Sequence, residues 1–265
     1  MSQPNAITSF AWLRELGLVV TLLASSTLVS AQKNIVISDS LSANSEQLSI
    51  KMPTQGVGKI KVEFGEYRVV SGKAGWTTSA TKARLFTTRS ETNSKAKFSF
   101  VLVNGNNDSA SVDAIKYVKT TERHAIRLTP HFSLGNDELQ KWSENFTAII
   151  TVKGDTSNTW ALLMNGSGTI DTAARYEEYL VTGDRKVLLS PVTSNKNNDD
   201  KRTLPAFGYE FSEGGRAVSA LQYYGGGLLG RNRIFVWIDK RLEAKTKLVL
   251  SAAMTAVLQL RASEL

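Results

Sequence analysis

The stretch Leu248-Val249-Leu250-Ser251-Ala252-Ala253-Met254-Thr255-Ala256-Val257-Leu258-Gln259-Leu260 would be apolar on almost every side of a helix. Its polar members, Ser251, Thr255 and Gln259, recur every four residues and form one narrow stripe. A helix of this kind has to be surrounded. At about 1.5 Å per residue it would be roughly 20 Å long, too short for the hydrocarbon core of a bilayer. The enclosure must therefore come from the rest of the chain.

That remainder is strand-like. Gln47-Leu48-Ser49-Ile50-Lys51-Met52 and Lys59-Ile60-Lys61-Val62-Glu63-Phe64 alternate polar with apolar residues, the period of a strand with one buried face. Similar texture returns at 97–103, 125–128, 146–152, 179–181, 186–189, 206–211, 217–224 and 233–238. Between these segments lie Asn104-Gly105, Gly154-Asp155, Asn165-Gly166, Gly183-Asp184 and Gly214-Gly215, pairs suited to closing hairpins. Residues 137–142, Asp-Glu-Leu-Gln-Lys-Trp, read as a short surface helix with Asn136 as its N-cap. The expected fold is mainly β: an antiparallel barrel or sandwich of about a dozen strands with a buried hydrophobic C-terminal helix over about 246–262. With 42% hydrophobic and 21% charged residues, the chain can build such a core. The polar run at 193–202 reads as a long hairpin loop within one β-rich domain, 32–265, because too few residues follow it for a second core.

The first 31 residues read as a signal peptide. An apolar run at 16–24 leads to Val29 and Ala31, small enough for the −3 and −1 positions of a cleavage site, so the mature chain would start at Gln32. The expected location is exported: periplasmic, cell-envelope or secreted. There is no cysteine, which excludes disulfides, thiolate nucleophiles, Cys-based zinc sites and lipid attachment through Cys.

The net charge of +8 is unevenly spread. Between Lys51 and Lys97 ten basic residues face three acids, an excess of +7. Lys59, Lys61, Arg68, Lys73, Lys82, Arg84 and Arg89 are the candidate contacts to an anionic surface. For an exported chain the expected partners are anionic lipid or polysaccharide and protein components of the envelope, not nucleic acid.

Toward the C-terminus, Tyr209-Glu210-Phe211-Ser212-Glu213-Gly214-Gly215-Arg216-Ala217-Val218-Ser219-Ala220 gives a strand, an acidic-glycine turn and an outgoing strand. Arg233-Ile234-Phe235-Val236-Trp237-Ile238-Asp239 and the apolar helix follow. In this order and texture the last 60 or so residues resemble tubby-like and LURP-one-related proteins. That resemblance implies a twelve-stranded barrel enclosing a C-terminal helix. Some members of that family bind phosphoinositides through basic surface residues, and none of those positions maps onto this sequence. The remainder, such as Gly65-Glu66-Tyr67-Arg68-Val69-Val70, resembles uncharacterised exported bacterial proteins.

Motifs that could carry chemistry are weak. Gly225-Gly226-Gly227-Leu228-Leu229-Gly230 fits G-x-G-x-x-G, but a strand rather than a helix is expected after it, so it reads as a hairpin loop. His124 and His131 have no acidic residue spaced to complete a metal site. Glu177-Glu178 and Asp199-Asp200 are adjacent pairs whose members would point to opposite faces of a strand. The oxygen-rich segment 195–200 lacks the order of a calcium loop. Trp76, Trp160, Trp237, Tyr223 and Tyr224 could line a groove, though aromatics on strands serve first as packing residues. No catalytic residue, cofactor or metal is indicated. The expected function is non-enzymatic binding at an anionic surface; a structural or assembly role in the envelope is the alternative, and a hydrolase with carboxylates far apart in sequence the second.

Overall fold

The computed structural model describes residues 34–52, 59–75, 77–83, 89–123, 126–129, 132–134, 138–169, 172–195, 205–225 and 233–262. A short helix α1 (Asp39–Asn44) leads into β1 (Ser45–Ser49). The chain continues through β2 (Glu63–Phe64), β3 (Tyr67–Ala74), β4 (Thr78–Ala83), β5 (Arg89–Val103) and β6 (Ser109–Arg123). After the small hairpin of β7 (Ile126–Thr129) and β8 (Phe132–Leu134) come β9 (Glu138–Val152), β10 (Asp155–Thr169), β11 (Thr172–Thr182) and β12 (Arg185–Thr193). β13 (Phe207–Glu213), β14 (Arg216–Tyr224), β15 (Phe235–Asp239) and helix α2 (Ala244–Ala262) complete the described fold.

The main sheet runs β1-β15-β14-β13-β12-β11-β10-β9-β6-β5-β3-β2, with β4 attached to β5 beyond β3. All these pairings are antiparallel. The two ends of this path nearly meet. Ile50, just past β1, donates its N–H to the Ile234 carbonyl at 2.9 Å, and Lys51 exchanges both backbone bonds with Glu63 of β2 at 2.8 and 3.1 Å. The expectation of a barrel enclosing a helix is therefore met: twelve strands form a nearly closed wall.

Helix α2 lies within that wall. From Leu248 to Leu258 every residue is buried, and the helix touches β5, β6 and β9 on one side and β14 on another. Within its polar stripe the Thr255 hydroxyl donates to the Ser251 carbonyl at 2.8 Å, while Ser251 Oγ and Gln259 Nε2 are buried with no hydrogen-bond partner among the described residues. Small residues at Ala252, Ala253 and Ala256 let the wall approach the helix backbone, while Leu250, Met254 and Leu258 fill the remaining lumen beside Phe146, Phe211 and Leu162.

β14 is buried on both faces, which explains its almost continuous apolar sequence. Its inner face meets α2. Its outer face is covered by the N-terminal segment, where Ile35, Leu41, Ala217, Ala220 and Trp237 form a second, smaller cluster. Gln222 fastens this strap by accepting from the Ile35 N–H at 3.0 Å and donating to the Arg233 carbonyl at 2.8 Å.

Three expectations are corrected. The helix expected at 137–142 is strand from Glu138 onward, because this segment is the first part of β9 and is bonded on both sides, to β6 and to β10. Asn136 and Asp137 lie outside the described residues. Asn165-Gly166 is not a turn but sits inside β10, with Asn165 opposite Asn145 and Glu177. Within the segment expected as a strand at 59–64, only Glu63 and Phe64 pair as one; Lys59 makes an isolated bridge to Lys73. The other four expected turns fall between paired strands. The polar run at 193–202 joins β12 to β13, which pair with each other. The expected signal peptide lies outside the described residues.

Candidate functional site

Two places combine chemistry with access: the outer face around β3, which the sequence singles out, and the mouth of the barrel lumen beyond the last turn of α2.

On the outer face, alternation sends Ile60, Val62 and Phe64 inward and leaves Lys59, Lys61 and Glu63 exposed. Lys59 pairs directly with Lys73 across the strands, and Glu63 with Arg68. Lys97 lies one strand further, on β5. Two shallow clefts flank β3. One is lined by Lys59, Lys61, Arg68 and Glu63, the other by Lys73, Lys97 and Asp113, so five cations meet two carboxylates. Among the described residues, Lys59, Arg68, Lys73 and Lys97 form no ion pair. Val70, at a bulge in β3, stands 53% exposed among them.

Of the seven residues named from sequence, the structure thus gathers Lys59, Lys61, Arg68 and Lys73. Lys82 and Arg89 are not part of this group. Lys82 on β4 lies opposite Glu91, and Glu91 is bonded by Lys119 at 2.9 Å. Eight β5 positions separate Glu91 from Ser99, the partner of Lys73, or roughly 26 Å at about 3.3 Å per residue. Arg89 pairs with Arg123 at the far end of β5 and β6. Arg84 lies outside the described residues, as do Trp76, His124, His131 and 196–200. The G-x-G-x-x-G segment lies between β14 and β15; only its Gly225 is described, and the element that follows is a strand.

The lumen mouth is a cavity of about 370 Å³ bordered by β9 to β14 and the end of α2. At its floor is Glu178, with a side chain only 5% exposed. Its Oε1 accepts from the Tyr209 hydroxyl at 3.1 Å and lies 3.6 Å from Arg261 Nη2. Arg261 also donates to the Tyr209 hydroxyl. The other oxygen, Glu178 Oε2, is buried with no hydrogen-bond partner among the described residues. Burial pushes the Glu178 carboxyl above the ordinary range, and the Glu144 carboxylate adds to this; the Tyr209 bond and Arg261 pull the other way. Burial likewise raises the Tyr209 phenol, with Arg261 opposing. Glu144, on the same wall, is paired with Lys116 at 3.4 Å.

The adjacent-carboxylate reading resolves as strand geometry requires: Glu177 is exposed while Glu178 turns to the cavity. Among the named aromatics, Trp160 and Trp237 are buried packing residues and Tyr223 lines the cavity, stacked on Tyr209 at 5.8 Å. The sequence reading passed over Trp142, Tyr176, Tyr209 and Arg261. One signal for them was available. A lone arginine ending a fully buried helix has to find an acceptor inside the wall.

Among the described residues no cluster of histidine and acidic side chains could hold a metal ion, and no helix is long and apolar enough to cross a membrane. No family model, curated protein or solved structure matches the chain.

Proposed function

We propose that this is an exported binding protein of the cell envelope that seats the outer face of β3 on an anionic lipid surface. The observation that carries the reading is the direct cross-strand opposition of Lys59 and Lys73, flanked by Arg68 and Lys97, none of the four forming an ion pair among the described residues. Like charges directly opposite on a sheet are destabilising. Such an arrangement costs stability in the free protein and recovers it when phosphates neutralise the face. Val70 offers a small apolar contact at the centre of the same face, which suits a headgroup layer better than a hydrated polysaccharide.

Each cation near an anionic membrane contributes about 1 kcal/mol, so four give binding in the millimolar range, reversible and sensitive to salt. Co-sedimentation of the purified chain with phosphatidylglycerol-containing and pure phosphatidylcholine vesicles tests this. Binding to the anionic vesicles alone, lost at high salt and in K59S/K73S, is the expected result. Equal binding to both vesicles, or undiminished binding by the double variant, overturns it. The envelope location is tested separately by N-terminal sequencing: a start at Gln32 supports it, and a retained Met1 does not.

A further inference from the structure

We propose that the lumen mouth binds an uncharged sugar, one ring lying against Trp142 and Tyr176 while its hydroxyls bond Glu178 and Arg261. The site is separate from the basic face, and neither reading depends on the other.

The first argument is the unused acceptor. Glu178 is almost wholly removed from solvent, yet only Oε1 is bonded. A buried carboxylate oxygen without a donor is costly, and a ligand hydroxyl reaching the cavity floor supplies the missing bond. The second is Gly166. A Cβ there would come within 2.9 Å of the Trp142 ring and 3.1 Å of Tyr176. A mid-strand glycine marks a close approach, and here it lets the two rings close over β10, with centroids 5.9 Å apart and planes tilted by 44°. Tyr176 is 60% exposed, so this pair is not sealed core packing. It presents aromatic surface at the entrance, suited to the C–H face of a pyranose.

Charge narrows the ligand class. The cavity wall carries Glu178 and Glu144, with Arg261 beside the first and Lys116 beside the second. A cationic ligand would face the half-buried guanidinium, and an anionic one would face two carboxylates. A neutral ligand avoids both conflicts. Hydroxyls both donate, to Glu178 Oε2, and accept, from Arg261. The cavity volume lies within the range of small-molecule sites, roughly 300–1,000 Å³.

The test is calorimetric titration of the full chain with neutral sugars (glucose, galactose, N-acetylglucosamine, cellobiose) and with glucosamine and glucuronate as charged counterparts of the same ring. Saturable binding of a neutral sugar is expected, with both charged counterparts about tenfold weaker or more. Glu178→Gln should weaken binding about tenfold, as loss of a hydrogen bond to a charged group does. Tyr176→Ala, at an exposed position, should weaken it similarly while leaving thermal unfolding unchanged, which keeps the test decisive if the Glu178 variant does not fold. Absence of binding by every neutral sugar, tighter binding of a charged counterpart, or full affinity in Tyr176→Ala overturns the proposal.

Discussion

Gly208 shows how closely single positions are constrained where the N-terminal strap lies on the barrel wall. A Cβ on this residue would sit 2.2 Å from the Leu221 carbonyl oxygen and 2.8 Å from Ile35 Cδ1. The first contact is backbone in the neighbouring strand and cannot turn aside. Gly208→Ala should therefore destabilise the protein by about 3 kcal/mol through overpacking, read as a lower urea midpoint at an unchanged slope. Asp239 is constrained by charge instead. Its buried carboxylate accepts from the Arg241 backbone N–H at 2.9 Å and from the guanidinium at 3.0 and 2.8 Å, closing the turn that leads to α2. The Arg241 bonds hold the Asp239 carboxyl below the ordinary aspartate range, against the opposing effect of burial. A carboxyl depressed in the folded state adds stability above its unfolded pKa, near 3.9, and loses that contribution as pH falls through the lower folded value. Asp239→Asn should therefore lower the melting temperature at neutral pH, with the gap to wild type closing in strong acid. A gap unchanged by pH would mean that shape, not charge, is what the position needs.

At the scale of elements, α2 carries the largest share of the interior, and Leu250→Ala tests how much. The residue is fully buried among wall side chains, and truncation should cost about 3 kcal/mol if the cavity stays unfilled. A loss well under 1 kcal/mol would show that the wall collapses onto the helix. This element was also the most legible in the sequence. An apolar surface on all sides admits few solutions, and in a strand-rich chain an enclosing barrel is one of them. The hairpins at 154–155, 183–184 and 214–215 were legible for a local reason, since paired turn residues there interrupt two alternating runs. The strand start at Glu138 was not, because Glu-Leu-Gln-Lys-Trp suits a helix locally and only ladders to β6 and β10 on both sides decide the matter. Gly166 misled for a related reason. The same dipeptide serves a turn or a close aromatic approach, and what separates them is Trp142 and Tyr176 arriving from two other strands. The basic face was half visible. Composition marked the stretch, but only the register separates Lys59 and Lys73, which meet, from Lys82 and Arg89, which do not join them. Glu178 and Arg261 are 83 positions apart, and no local pattern could bring them together.

The whole molecule depends on closing its ring at the narrowest seam. β1 and β2 are short, and among the described residues the Lys51–Glu63 exchange joins them, while Ile50 ties the same segment to Ile234. The residues from 34 to 51 thus perform two tasks, covering the outer face of β14 and β15 and supplying the strand between β15 and β2. Removing them would expose two unpaired sheet edges, the apolar flank of Trp237 and one end of the lumen core together. Open edges recruit other chains. A chain beginning after Lys51 should therefore associate at concentrations where the full chain does not, and light scattering on both would show it. A milder variant isolates the seam. Ile50→Pro removes the N–H that bonds the Ile234 carbonyl but leaves the strap over β14 in place. If closure is what stabilises the barrel, this single change should raise amide exchange in β1, β2 and β15 while β9 and β10, far around the ring, remain protected. Uniform loss of protection around the ring would mean instead that the barrel opens only as it unfolds.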